Sequence, residues 1–255
     1  MFKAVVPARY ASTRLPGKPL LDIAGKPMVV RVAEQARLSK ADEVLVATDH
    51  PDIASACTEH GIDVVMTRPD WPTGTDRLAE VVQARQWADD TVVVNVQGDE
   101  PLIDPDLINL VATTLAHGDQ DIATCGHPIF DWSEFKQPNV VKIALKENME
   151  ALYFSRAPIP FPRDGFSAEQ TTEQQRKSGI GIRHVGLYAY KARFLKTYQN
   201  LTPTALEELE SLEQLRALAH GFRIKVCIIH ESPLPGVDTQ ADLERVRSLF
   251  KTKLG

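Results

Sequence analysis

The chain has 255 residues, 43% of them hydrophobic and 25% charged, with a formal net charge of −5 and a pI near 5.8. That size is one large α/β domain, or one domain with a subdomain, and the apolar content excludes disorder throughout. The acidic balance excludes the basic face of a nucleic-acid binder, and no apolar run approaches a membrane span. Cys57, Cys125 and Cys227 are an odd, widely spaced set without C-x-x-C spacing, which fits a reduced, cytoplasmic protein. The first strand starts within a few residues of Met1, so no signal peptide is expected ahead of it.

Ala4 to Val6 reads as a short buried strand, broken at Pro7 into a loop that carries Arg9, Arg14 and Lys18. Gly17 allows a tight turn there, and Pro16 and Pro19 stiffen it. Cations at the carboxyl edge of an α/β sheet suit a ligand with several phosphates. Neither G-x-x-x-x-G-K-[ST] nor G-x-G-x-x-G is present, so residue chemistry alone also fits a solvated surface turn. Pro27 opens a helix, Val44–Ala47 is a second strand ending at Thr48-Asp49, Asp52–His60 a helix and Val64–Met66 a third strand. That rhythm indicates parallel crossovers. After a loop from Arg68, a helix begins at Thr75, and Thr91–Gln97 is apolar on both faces, as a central parallel strand should be.

Asp104-Pro105 starts a helix that runs to about Leu115. Strands follow at Ile122–Cys125, Val140–Leu145 and Ala151–Phe154; Cys125 and Cys227 read as small core residues. Arg163 to Lys177 is polar and aperiodic, either plain disorder or a lid. Ile182–Tyr190 is strand-like and Ala192–Tyr198 helical; Leu209, Leu212, Leu215 and Leu218 mark one helix face; Ile224–Ile229 is a late strand. A last helix is capped by Thr239 with Asp242 three residues on, and turns Leu243, Val246 and Phe250 inward. The first half, about 1–125, reads as a nucleotide-binding unit and the second, about 126–255, as more β-rich, with no clean linker between them.

Two carboxylates carry chemistry. Asp99 directly follows the strongest strand and a glycine, a usual place for a nucleotide-bound Mg²⁺, although an exposed turn has the same composition. Asp238, by itself, reads as a turn or cap residue. Likewise, His184 alone reads as a satisfied histidine in an apolar strand, and Glu213 as a solvated helix residue.

The string P-A-R-Y-A-S-T-R-L-P-G-K-P, Pro7 to Pro19, resembles the signature of the sugar-acid cytidylyltransferases, in particular the 3-deoxy-manno-octulosonate (Kdo) cytidylyltransferase family. V-N-V-Q-G-D-E-P (94–101), T-G-T-D-R-L (73–78), A-L-Y-F-S-R (151–156), R-H-V-G-L-Y-A-Y (183–190), L-E-Q-L-R (212–216) and G-V-D-T (236–239) are similar to that family's motifs, spread over almost the whole chain. The resemblance implies an α/β protein with a mixed, mostly parallel sheet, the nucleotide-diphospho-sugar transferase (glycosyltransferase-A-like) fold. It implies transfer of CMP from CTP to the anomeric 2-hydroxyl of Kdo, dependence on Mg²⁺, and a cytoplasmic homodimer serving lipopolysaccharide synthesis. By the same match, Asp99 and Asp238 hold the metal and, with Lys18 and Arg14, are catalytic. Pro7, Ala8, Arg9, Arg14, Lys18, Thr75, Arg77 and Gln97 bind the nucleotide. Arg77, Gln97, Arg156, His184, Tyr188, Glu213 and Gln214 bind the sugar acid, whose carboxylate suits Arg and His and whose hydroxyls suit Gln, Glu and Tyr. The same chemistry on the 8-amino analogue or on a sialic-acid-type keto sugar is the nearer alternative, and a nucleotide- or sugar-acid-binding regulator without catalysis the more distant one.

Overall fold

The computed structural model describes residues 1–11, 15–71, 73–163, 172, 173, 175 and 179–254. Strand β1 (Lys3–Ala8) is followed by a 3₁₀ turn (Lys18–Leu20), a small hairpin of β2 (Asp22–Ile23) and β3 (Lys26–Pro27), and helix α1 (Met28–Arg37). Then come β4 (Glu43–Thr48), α2 (Pro51–Glu59), β5 (Asp63–Met66), α3 (Gly74–Ala84), β6 (Val92–Asn95) and α4 (Pro105–Ala116). The second half contributes β7 (Ile122–Ile129), α5 (Trp132–Lys136), β8 (Lys142–Leu145), β9 (Ala151–Ser155), β10 (Gly181–Lys191), α6 (Ala192–Tyr198), α7 (Ala205–Glu210), α8 (Gln214–Ala219), β11 (Ile224–Ile228) and α9 (Gln240–Leu254).

Among the described residues the main sheet runs β11-β7-β10-β6-β1-β4-β5, with β8 on the end of β10 and β9 beside β8. β1 is parallel to β4 and β6, β4 to β5, and β7 to β11; β10 is antiparallel to β6, β7 and β8. This is the mixed, mostly parallel α/β arrangement that the motifs imply. Because β10 inserts between β6 and β7, the two halves of the chain share one sheet.

Alternation along the strands builds a core on each face. Ala4, Val6, Val46 and Val94 point to one side, where α1 and α4 supply Val29, Val32, Ile108 and Val111. Val5, Leu45, Ala47 and Val93 point to the other, against Leu78, Val81 and Val82 of α3 and Phe194 of α6. Each fully buried valine or leucine contributes about 1.5–3 kcal/mol relative to exposure, which is why the central strands are apolar on both faces. The caps agree with the sequence. Asp104 accepts from Asp106 N at 2.9 Å, and the Thr239 and Asp242 side chains bond reciprocally at the start of α9. No helix among the described residues is long and apolar enough to cross a membrane.

One expected element is wrong. Leu209 to Leu218 is not one helix face. The chain breaks at Ser211, whose φ of 52° is left-handed, and splits the stretch into α7 and α8. Leu209 is 83% exposed, whereas Leu212 and Leu215 are buried. The break turns Glu213 to the N-cap of α8 and leaves α7 held by the buried Arg216–Glu207 pair, with bonds of 2.6 and 2.8 Å. The loop expected over Arg163–Lys177 lies for the most part outside the described residues.

Candidate active site

β1 and β6 are parallel neighbours, so their carboxyl ends open side by side. Past β1 come Arg9 and, after Gly17, Lys18; past β6 come Gln97, Gly98 and Asp99. The two loops touch: a Cβ on Gly98 would lie 2.6 Å from the Pro7 carbonyl oxygen, so only glycine fits there. The Asp99 carbonyl accepts from Val237 N at 2.8 Å and thereby draws in the segment bearing Asp238. Lys18 Nζ then donates to Asp99 Oδ2 at 2.7 Å and to Asp238 Oδ1 at 3.1 Å. Two carboxylates more than a hundred residues apart in the sequence thus face a single cation position.

These groups line a cleft of about 410 Å³ with Pro7, Ala8, Gly74 and Gln97. Arg9 and Gly74 also border a second basin, of about 640 Å³, that extends to Glu213 and Leu212. The first turn of α3, capped by Thr73, lies between the two basins and offers unpaired backbone N–H groups to an anion. Burial and the neighbouring Arg77 charge lower the Arg9 pKa from its ordinary value, but it stays a cation at any physiological pH. A further groove of about 570 Å³, between α4 and residues Ile228–Leu234, holds Glu100, Asp104, Asp106 and Glu231 and no Lys or Arg, so phosphates are repelled there.

The structure brings Pro7, Ala8, Arg9, Lys18, Gln97, Asp99 and Asp238 together around one cleft. Gln97 is held by a 3.0 Å bond from Nε2 to Gly186 O, at the bulge of β10. Glu213 borders the second basin and the buried Thr75 supports it from behind: Thr75 Oγ1 donates to Glu213 Oε1 at 3.0 Å, and burial raises the Glu213 pKa. Arg14 lies outside the described residues.

Five residues expected at the sugar lie behind or away from the cleft. Arg77 is fully buried and points back, to Asp49 Oδ2 at 2.9 Å and to the Thr67 hydroxyl, because a cation so deep in the fold needs a carboxylate to compensate it. Arg156 is spent on carbonyls: Nε donates to Glu210 O at 2.7 Å and Nη1 to Pro138 O at 3.2 Å, which ties β9 to the end of α7. Tyr188 is buried in the core and stacks on Tyr190, with centroids 5.6 Å apart. Gln214 is buried beside it, lining a small cavity of about 10 Å³ with Tyr188, Tyr198 and Glu213. His184 pairs with the Thr124 hydroxyl at 3.2 Å and meets the Phe154 ring edge-on; burial pushes its pKa down to about 3, so the imidazole is neutral.

Sequence reasoning missed Asp49 and Thr67, the groups that hold Arg77. Asp49 follows a buried strand, the same signal that singled out Asp99. Cys125 and Cys227 stand opposite each other in the register of β7 and β11, which spacing could not show.

The donor set fits a hard divalent cation: two carboxylates that one cation already reaches, with open space for phosphate and water. Comparison with known proteins places the chain in a family. The family model described as "Cytidylyltransferase" matches residues 3–225. A solved structure of CMP:2-keto-3-deoxy-manno-octonic acid synthetase complexed with CTP is similar over 99% of this chain and 100% of that one, with 41% identity and a TM-score of 0.87. A cytidylyltransferase from Leptospira borgpetersenii serovar Hardjo-bovis (strain JB197) shares the fold, at 17% identity and a TM-score of 0.61 over 98% of this chain and 87% of that one. With its loop motifs, its cleft and its whole length accounted for in this way, the chain belongs to the cytidylyltransferase family and, within it, to the CMP-Kdo synthetases.

Proposed function

We propose that this protein transfers CMP from CTP to the anomeric 2-hydroxyl of Kdo and releases diphosphate. The observation that carries the reading is the cleft in which Arg9 and Lys18 meet Asp99 and Asp238, in a chain 41% identical to a synthetase of that name complexed with CTP. The 2-hydroxyl oxygen forms a bond to the α-phosphorus, the bond from that phosphorus to the bridging oxygen breaks, and the hydroxyl proton is lost. Most of the catalysis is then positioning and charge.

Arg9 and Lys18 flank the triphosphate, and the first turn of α3 adds backbone donors. Lys18, on a short turn after Gly17, steadies the charge that develops on the departing diphosphate. Asp99 and Asp238 would hold Mg²⁺, which when bound withdraws charge from the α-phosphate and acidifies the attacking hydroxyl. The second basin takes the sugar: Glu213 accepts from its hydroxyls, and Arg9, bordering both basins, offers its charge to the carboxylate. His184 is a poor general base, since a pKa pushed down to about 3 leaves its imidazole too weak to take a proton at neutral pH, and the ring is already engaged with Thr124. The same reading makes the protein a Mg²⁺-dependent, cytoplasmic homodimer that supplies an activated sugar acid for lipopolysaccharide; sedimentation equilibrium tests the dimer.

Nucleotide choice tests the function. With Kdo and Mg²⁺ fixed, diphosphate release is expected with CTP and at least about 100-fold slower with ATP or GTP. Equal rates with all three would remove the cytidylyl assignment.

A further inference from the structure

Lys18 sits where a metal ion would. Its ammonium has three N–H donors; one goes to Asp99 at 2.7 Å and one to Asp238 at 3.1 Å. The lysine side chain is 14% exposed, against 36% and 51% for the two carboxylates, so the amine lies deeper than the acids it joins. A divalent cation that reached both oxygens would stand within a few ångströms of the ammonium. A divalent cation and an ammonium at that separation repel strongly, and twice as strongly as two unit charges would. Both cannot occupy the position, and Lys18 needs another anionic partner before it leaves.

We propose that Lys18 is the built-in occupant of this cation position in the nucleotide-free protein, and that it yields the position only when a triphosphate offers its own oxygens in exchange. The inference rests on Asp99 and Asp238 being the metal carboxylates. Its consequence is an order of binding: a divalent cation alone is held weakly, and metal and nucleotide bind with positive coupling. The exchange also keeps the two acidic segments together before the metal arrives, since without a cation the carboxylates repel.

Mn²⁺ alone is the probe, titrated without nucleotide and read by electron paramagnetic resonance of the free aquo ion. Lys18→Met and Lys18→Gln are each expected to bind Mn²⁺ at least about five-fold more tightly than the unaltered protein, because the competing charge is gone. Thermal melting adds a second readout that does not depend on activity: Mg²⁺ should raise the melting temperature of both variants by more than that of the unaltered protein. With saturating CTP and no sugar acid, the difference in Mn²⁺ affinity should close. Equal Mn²⁺ affinity in all three proteins, with binding lost in Asp99→Asn, would overturn the exchange while leaving the metal site in place. Unchanged Mn²⁺ binding in Asp99→Asn would overturn the metal assignment and the exchange together.

Discussion

Arg77 is the most heavily committed charge near the site. Its side chain is fully buried, and its carboxylate partner Asp49, 2.9 Å away, is 15% exposed. The Thr67 hydroxyl is its other partner, and Nε has none. Asp49→Asn keeps the shape and removes the charge paired with the cation. Breaking a buried pair from one side typically costs about 3–5 kcal/mol. At this chain length that is a drop of roughly 10 °C in melting temperature. Removing both partners, Asp49→Leu with Arg77→Met, leaves no stranded charge and should cost far less than the two single changes summed. Urea unfolding with tryptophan fluorescence measures Asp49→Asn, the double variant and the two single changes that compose it. If Asp49→Asn costs less than about 1 kcal/mol, the pair is not the electrostatic staple described here. Kinetics of a further variant, Arg77→Lys, separate two roles. If Arg77 only shapes the field at Arg9, the conservative Arg77→Lys should leave the Michaelis constant for Kdo within a few fold. A rise of a hundred-fold in a folded protein would mean that the guanidinium turns outward to the sugar.

Asp99→Asn and Asp238→Asn should each lower turnover by at least about 100-fold with the fold intact by circular dichroism, since each removes half of the carboxylate charge facing the cation position; near-normal rates in both would contradict the site. His184 makes the fold acid-sensitive. Its folded pKa is about 3 against 6.5 for a free imidazole, so the unfolded state takes up a proton first and stability falls as pH drops from 6.5 towards 3. The loss between pH 7 and pH 5 is about 2 kcal/mol, and His184→Gln should remove it; an unchanged acid limb would refute the burial.

Much of the fold was legible because its signals are local. Thr91–Gln97 has Val92, Val94 and Val96 on one face and Val93 on the other, and Asp104-Pro105 and Thr239 announce helix starts that the structure reproduces. The leucines from Leu209 to Leu218 misled because a spacing of three suits a helix, while the left-handed turn at Ser211 carries no glycine to announce it. The cleft was legible for the same reason that it forms: Arg9, Lys18 and Asp99 follow strands whose carboxyl ends lie together. Asp238 could be tied to Asp99 from sequence only by motif resemblance, since the contact depends on one backbone bond from Val237. What spacing could not show is direction. Arg77, Arg156 and Tyr188 are near the site in sequence pattern, but each turns towards a partner that only the packing reveals.

The most direct measurement combines CTP, Mg²⁺ and a panel of keto sugar acids, following diphosphate release and the mass of the sugar product together. Kdo should give stoichiometric diphosphate and a product of the mass of CMP-Kdo, its 8-amino analogue and sialic acid should turn over more slowly, and omission of the sugar should give neither product. Diphosphate release that is independent of the sugar acid, or a sialic acid product formed faster than CMP-Kdo, would contradict the account.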